Sequence, residues 1–315
     1  MASEPADLPS GLPAAKAVLV VGGANMDVGA RTDRALLAGD STPGFIHHAP
    51  GGVGRNIAEN LARLGIAVQL ATLVGDDAFG AQLLTATAAA GVDMALTQRV
   101  AGLRTATYLS LHGPDGDMAL AVNDMAILDQ LTPTWCAANL PAPTASGVQL
   151  LDCNLPPDTL AYLLARDVVS VVDAVSVAKC ERLRPWLPRV ALLKCNRLEA
   201  QAMTQHPTDT VAQALEAAQA LVRLGAQRSV ITLGADGVCW CDQDGQAGFR
   251  PAREVPVVST TGAGDALLAG VVAAWQRGQP LAQAVAYGMA CAEITLSSTF
   301  ANAADLSPAA VLKHL

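Results

Sequence analysis

Thr261-Gly262-Ala263-Gly264-Asp265 is the stretch of this chain best equipped for chemistry. Glycines let backbone N–H groups approach a ligand closely. A helix opening at Ala263 adds orphan donors and the positive end of its dipole. Such a hole, built from Gly262, Ala263 and Gly264, suits a phosphate that is gaining negative charge. Asp265 falls in the first helical turn, where a carboxylate would repel an anion. Its useful role there is to take a proton from an attacking hydroxyl. Phosphoryl transfer asks for that modest base together with positioning and charge stabilisation. A glycine-rich helix entry with a dipole-complementing Asp has the same outline. The preceding Val257-Val258, read as the end of an apolar strand, and the apolar helix that follows favour the catalytic reading.

Four further segments carry polar groups at useful spacings. Asn196 and Glu199 lie three apart on a helical turn and share a face. Glu199 could hold Mg²⁺ through water, since Mg²⁺ keeps several of its waters, and Asn196 could meet a phosphate oxygen. The same pair also makes a plain capping box. Thr232, Gly234 and Gly237 follow a strand and could contact phosphate or ribose, or form a simple strand exit. Asn25 and Asp27 alternate as inward groups on an extended segment, and Gly51, Gly52 and Asn56 open the first helix. Both sets suit a polyol. The first of them replaces the G-x-G-x-x-G loop that a dinucleotide-binding oxidoreductase needs after its first strand.

These residues must be held by strands and helices that alternate along the chain. Strands are expected at Ala17–Val21, Ala67–Val74, Val148–Leu151, Val168–Val172, Val190–Leu193 and Ser229–Leu233. Helices are expected at Asn56–Leu64, Gly80–Ala90, Val211–Leu224, Ala263–Arg277 and Leu281–Ser297, most of them closed by a glycine. That order implies a Rossmann-like three-layer α/β domain with a mostly parallel sheet. It spans residues 17–315 as a single domain after a loose tail over residues 1–16. Two segments depart from the rhythm. Residues 28–50 hold a short extended piece at Phe45–His48, and residues 104–123 read as a β-hairpin turning at Gly113-Pro114-Asp115-Gly116. Together they are expected to form a small β-sheet lid. Its open edges could pair in a homodimer.

Composition narrows the partners. The chain has 315 residues, 51% apolar and 15% charged, with a net charge of −8. It lacks the basic face that a nucleic acid polymer requires. No apolar run is long enough for a membrane span, and residues 1–16 do not read as a signal peptide. Seven cysteines, an odd number with no second pair beside Cys239 and Cys241, read as reduced core thiols in a cytoplasmic protein.

In this order, Gly22–Asp27, Gly51–Asn56, Asn196–Glu199, Thr232–Gly237 and Thr261–Asp265 resemble the ribokinase-type (PfkB) carbohydrate kinases from about Val18 to Ala304. The resemblance implies ATP, Mg²⁺ and a K⁺ near the anion hole. It makes Asp265 the base and places Asn25, Asp27, Gly52 and Asn56 against the sugar. Asn196, Thr232, Gly234 and Gly237 fall with ATP, together with Lys194. Within the family the chain looks most like the pseudouridine kinases. The residues that resemble them are Asp40–Gly44, Tyr108–Leu111, Asn123-Asp124-Met125, Asp152-Cys153-Asn154 and Val175-Ser176 with Lys179. The implied reaction phosphorylates the 5′-hydroxyl of pseudouridine, with Ser41, Asn123 or Asn154 reading the base. Ser259, where many relatives carry Asp, weakens the expectation of K⁺. Ribose, fructose, uridine and inosine remain as acceptors, and a non-catalytic binding protein on the same fold remains as an alternative.

Overall fold

A computed structural model of the chain describes residues 17–37, 39–144 and 147–315, so the tail expected over residues 1–16 lies outside the described residues. The strands are Val18–Val21 (β1), Asn25–Thr32 (β2), Gly44–Gly51 (β3), Val68–Ala71 (β4), Leu73–Gly75 (β5), Gln98–Val100 (β6) and Thr107–His112 (β7). They continue with Met118–Asp124 (β8), Val148–Asp152 (β9), Val169–Asp173 (β10), Leu192–Asn196 (β11), Arg228–Thr232 (β12), Gly237–Asp242 (β13) and Ala247–Pro251 (β14). The α-helices are Val53–Arg63 (α1), Ala78–Ala89 (α2), Pro133–Asn139 (α3), Pro157–Leu164 (α4) and Val177–Cys180 (α5). Arg197–Thr204 (α6), Val211–Arg223 (α7), Ala263–Gln276 (α8), Leu281–Leu296 (α9) and Pro308–Leu312 (α10) complete them.

The main sheet runs β14-β13-β12-β11-β10-β9-β1-β4. From β4 to β12 the strands are parallel; β13 and β14 add antiparallel at one edge. Because neighbouring side chains on a strand point to opposite faces, the sheet divides its own apolar residues between two cores. Val20, Leu150, Val171, Leu192 and Val230 face α1, α8 and α9. Val21, Leu151, Val172, Leu193 and Ile231 face the layer that contains α4, α6 and α7. Helix α8 is buried along Asp265–Ala274, which explains why its sequence is apolar all round. The alanine-rich composition is used here: α8 and α9 approach so closely that a Cβ on Gly270 would meet Gly288.

A second sheet has the order β3-β2-β7-β8. It joins the two segments that depart from the α/β rhythm. Its strands are longer than the sequence suggested, since β3 covers Gly44–Gly51 and β2 begins at Asn25. Three other expectations change. The run Ala67–Val74 breaks at Thr72, because β4 joins the main sheet while β5 pairs with β6. Strand β11 starts at Leu192 and continues through Asn196, so Lys194 and Cys195 belong to the strand rather than to a following turn. Val257-Val258 is not a strand. No strand among the described residues lies beside it, and the Val258 N–H donates instead to Leu296 O at the end of α9, 2.8 Å away. The β13–β14 hairpin was not foreseen; the expected elements stop at the glycine turn Gly234–Gly237 after β12.

Candidate active site

Strand β1 has β4 on one side and β9 on the other, so the chain leaves β1 and β9 in opposite directions. The carboxyl ends of such diverging strands leave a crevice. Asp152, the last residue of β9, closes its floor. Its Oδ2 accepts the Gly23 N–H at 2.7 Å and the Gly54 N–H at 2.8 Å, and its Oδ1 accepts the Asn154 N–H at 2.8 Å. Burial pushes its pKa upward against these donors. One carboxylate therefore joins the exits of β1 and β9 to the start of α1.

Residues 25–27 lie where β2 leaves that floor. The Asn25 Nδ2 donates to Asp27 Oδ1 at 2.6 Å. Burial raises the Asp27 pKa, while the Asn25 amide and the Arg55 charge pull it back. Helix α1 starts at Gly52, whose φ of 97° and contact with Gly23 O leave no room for a Cβ. Arg55 is buried beside it, and its Nη1 donates to Pro50 O, Asn56 Oδ1 and Asn302 Oδ1 at 2.9, 2.8 and 2.7 Å. The same guanidinium pairs with Glu59. The Asn302 Nδ2 donates to Asn56 O at 2.9 Å. With Oδ1 taken by Arg55, Asn56 presents its Nδ2 to Asp265 Oδ2 at 2.8 Å.

Asp265 occupies the first turn of α8. The N-cap Gly262 has φ 82°, and a Cβ there would collide with the Ala301 backbone. No side chain caps this helix start, so its first amides face outward without an intrahelical acceptor. The Asp265 pKa is pushed up to about 7. Burial is the main cause and Asp173 adds to it, whereas Lys194 and Asn56 oppose it and Asp152 adds a smaller push upward. A carboxyl with a pKa near 7 beside uncapped helix amides has the chemistry to exchange a proton near neutral pH.

Two cavities meet at this turn. One, of about 640 Å³, is lined by Asn25, Asp27, Gly52, Asn56, Asn154, Gly262 and Asp265. The second sheet adds His47, Tyr108, Ser110 and His112 to it, and Phe300 and Ala301 close another side. The other cavity, of about 700 Å³, is lined by Thr232, Gly234, Gly237, Ala263, Gly264 and the apolar Leu267, Met289 and Leu296. The helix turn at residues 262–265 is thus a wall shared by both.

Several residues singled out from the sequence lie elsewhere. Ser41 sits in an exposed loop and Asn123 is exposed on β8, opposite Tyr108; neither lines either of these two cavities. Gly51 pairs with Asn25 across β2 and β3, just behind the lining. Lys194 is buried, lines neither cavity, and binds Asp173. Asn196 caps α6 in a full capping box: the Glu199 N–H donates to Asn196 Oδ1 at 2.9 Å, and Glu199 Oε2 accepts the Asn196 N–H at 2.8 Å. Asn196 Nδ2 occupies Glu199 Oε1 at 2.7 Å. With both oxygens so engaged, Glu199 fits a metal held through water rather than one it binds directly. Among the described residues, no cluster of three or more His, Cys, Asp or Glu could hold a metal. The Ser259 Oγ accepts the Thr261 N–H at 3.2 Å, which occupies the hydroxyl that stands where a cation ligand was expected.

Other residues of the site escaped sequence reading. Asp173 and the amide-binding role of Asp152 could have been suspected from a lone acid ending an apolar strand. Asn302, His47 and His112 were given no role, since each reaches the site from a distant part of the chain, and Arg55 was read only as part of the Gly51–Asn56 segment. All seven cysteines are buried and free. No helix among the described residues is long and apolar enough to cross a membrane.

Residues 15–307 match the model of the pfkB family carbohydrate kinases. The chain is similar to the pseudouridine kinase of Escherichia coli strain K12, with 37% identity over 94% of this chain and 95% of that protein. Among solved structures it is similar to a carbohydrate kinase from Agrobacterium tumefaciens, with 30% identity, a TM-score of 0.80 and coverage of 95% and 96%. The ribokinase of Arabidopsis thaliana, solved with ribose and ATP, shares the fold at a TM-score of 0.79 and 21% identity, covering 95% and 98%.

Proposed function

The chain belongs to the pfkB family of carbohydrate kinases, and we propose that it transfers the γ-phosphoryl group of ATP to the 5′-hydroxyl of pseudouridine. The observation that carries this reading is the shared wall. Gly262 and Asp265 open into one cavity while Ala263 and Gly264 open into the other. A donor on one side and an acceptor on the other would face each other across the amides of a helix start.

The cavity with Thr232, Gly234 and the apolar side chains of Leu267 and Met289 suits a nucleotide. Asp27 and Asn25 would bind sugar hydroxyls, and Asp265 would take the proton of the attacking one. The amides of residues 263–265 would hold the charge that develops on the transferred group. Mg²⁺ travelling with the phosphates would supply further neutralisation, with Glu199 holding one of its waters. Lid residues Tyr108, Ser110 and His112 extend the acceptor cavity past the sugar position, which supports a nucleoside over a bare pentose. So does the similarity to the E. coli pseudouridine kinase. Asn154 is the base-reading candidate that lines the cavity, and Lys179 donates to its Oδ1 at 2.5 Å, leaving its amide N–H₂ group to face the floor. The second sheet acts as the lid. Its exposed Phe45, Ile46, Leu120 and Val122 make it the expected face of a homodimer.

The test is ADP release with pseudouridine, uridine, ribose and fructose measured side by side. Pseudouridine should give the highest kcat/KM. Equal rates with uridine would remove the substrate assignment and leave the kinase standing.

A further inference from the structure

Lys194 and Asp173 form a buried ion pair that the mechanism above does not use. They stand directly opposite each other on the parallel strands β11 and β10. The Lys194 Nζ lies 2.9 Å from Asp173 Oδ2, and the other Asp173 oxygen accepts the Val175 N–H at 2.8 Å. Replacing such a pair by apolar side chains is often neutral or stabilising, so its place in the fold is more informative than its energy. That place is directly behind the anion hole. A Cβ built on Gly264 would lie 2.9 Å from Lys194 Nζ and 3.4 Å from its Cε. The ammonium thus sits against the first turn of α8, close enough to Asp265 for their charges to interact.

We infer that Lys194, held by Asp173, is a positioning residue for Asp265: a fixed buried cation that keeps the base ionised while the site is closed to water. The inference rests on the kinase reading for its functional meaning, but not for its physical content. Four groups bear on Asp265. Lys194 from β11 attracts its charge and Asn56 from α1 donates to it, whereas Asp173 from β10 and Asp152 from β9 repel it. Glu199 on α6 bears on Lys194. Burial alone would push the Lys194 ammonium down, but Asp173 and Asp265 outweigh that and the net direction is up, so the cation is permanent. Asp173 therefore has two opposed effects on the base: it anchors the helpful cation and adds its own repulsion.

Removing the two members of the pair in turn separates these effects. Asp173→Asn keeps the shape and the acceptor for Val175, removes the repulsion and leaves Lys194 facing Asp265. The midpoint of Asp265 should fall by about 1 pH unit or more. Asp173→Asn/Lys194→Met then removes the cation without stranding a carboxylate, and the midpoint should rise from that of the single variant by about 1–3 pH units. The Asp265 carboxyl is followed by ¹³C NMR, assigned by its loss in Asp265→Asn, and the acid limb of kcat is recorded in parallel. Equal midpoints in the single and double variants would overturn the inference. If the double variant does not fold, Lys194→Gln in the Asp173→Asn background takes its place. A wild-type protein that phosphorylates none of the acceptors would end the kinase reading, while the NMR titration would still decide the role of Lys194.

Discussion

The Asn56 amide donates to the Asp265 carboxylate at 2.8 Å across 209 residues of chain. It can do so because Arg55, the residue before it, holds the other end of that amide. Besides the apolar packing of α1 on α8, this polar link ties the start of one helix to the first turn of the other.

Removing the Asp265 carboxylate should abolish turnover without abolishing binding. In Asp265→Asn, kcat is expected to fall about 10²–10⁴-fold while the ATP affinity changes little. Steady-state rates and calorimetric titration with ATP would check both. Turnover near the wild-type rate would exclude Asp265 as the base.

The same substitution should stabilise the fold at neutral and higher pH. The folded-state pKa of Asp265 is raised to about 7 from 3.8. The native protein therefore binds the proton more tightly than the unfolded chain, and stability from this group falls as pH rises between those values. Asn does not titrate, so Asp265→Asn should gain about 2–4 °C in Tm at pH 8, with the gain shrinking toward pH 4. Thermal melts at both pH values measure it; a gain independent of pH would contradict the buried-carboxylate account.

Arg55→Met should cost roughly 3 kcal/mol of stability, because Glu59 loses a buried partner and Asn56 and Asn302 lose a donor. Arg63 still reaches Glu59, so the fold should survive. The residual enzyme should show a lower kcat, since the Asn56 amide is free to turn away from Asp265. Urea titration and steady-state kinetics test the two parts separately.

Asn154→Ala and Asn123→Ala should part company. Asn154 lines the acceptor cavity and is held by Lys179; Asn123 is exposed on β8. We expect Asn154→Ala to lower kcat/KM for pseudouridine about tenfold or more, the cost of roughly one hydrogen bond or two, and Asn123→Ala to leave it unchanged. Equal values in both variants would move base recognition to other residues of the acceptor cavity.

Gly262→Ala places a methyl group against the Ala301 backbone at a φ of 82°. The strain of a side chain in that conformation is about 1–2 kcal/mol before the collision is counted. The helix start must therefore move, and kcat should drop at least tenfold with a smaller effect on acceptor binding.

The parts of the site that were legible in the sequence are those whose chemistry is local. Residues 261–265 announce an anion hole because glycines, a helix start and an acid are contiguous. Residues 51–56 announce a polyol site because glycines, a helix start and an Asn are contiguous. What was not legible is the wiring between them. Asp152 serves amides 98 and 129 residues away, and Arg55 meets Asn302 across 247 residues. No pattern in a window of the chain encodes such meetings; they follow from the order of strands in the sheet. The misreading of Val257-Val258 has the same origin. Two valines suit a strand, but a strand also needs a neighbour, and the sheet ends elsewhere. The β13–β14 hairpin was missed for another reason: Val238 and Trp240 suit a strand, but β13 gains its partners only because the chain turns back beside β12 and then beside itself.

The contact between Arg55 and Asn302 also orders events during synthesis. An emerging chain can form β1 and α1 early, but the bonds from Arg55 to Asn302 and from Asn302 back to Asn56 O close only after residue 302 has been made. The start of α1 is thus braced by a segment from near the other end of the sequence.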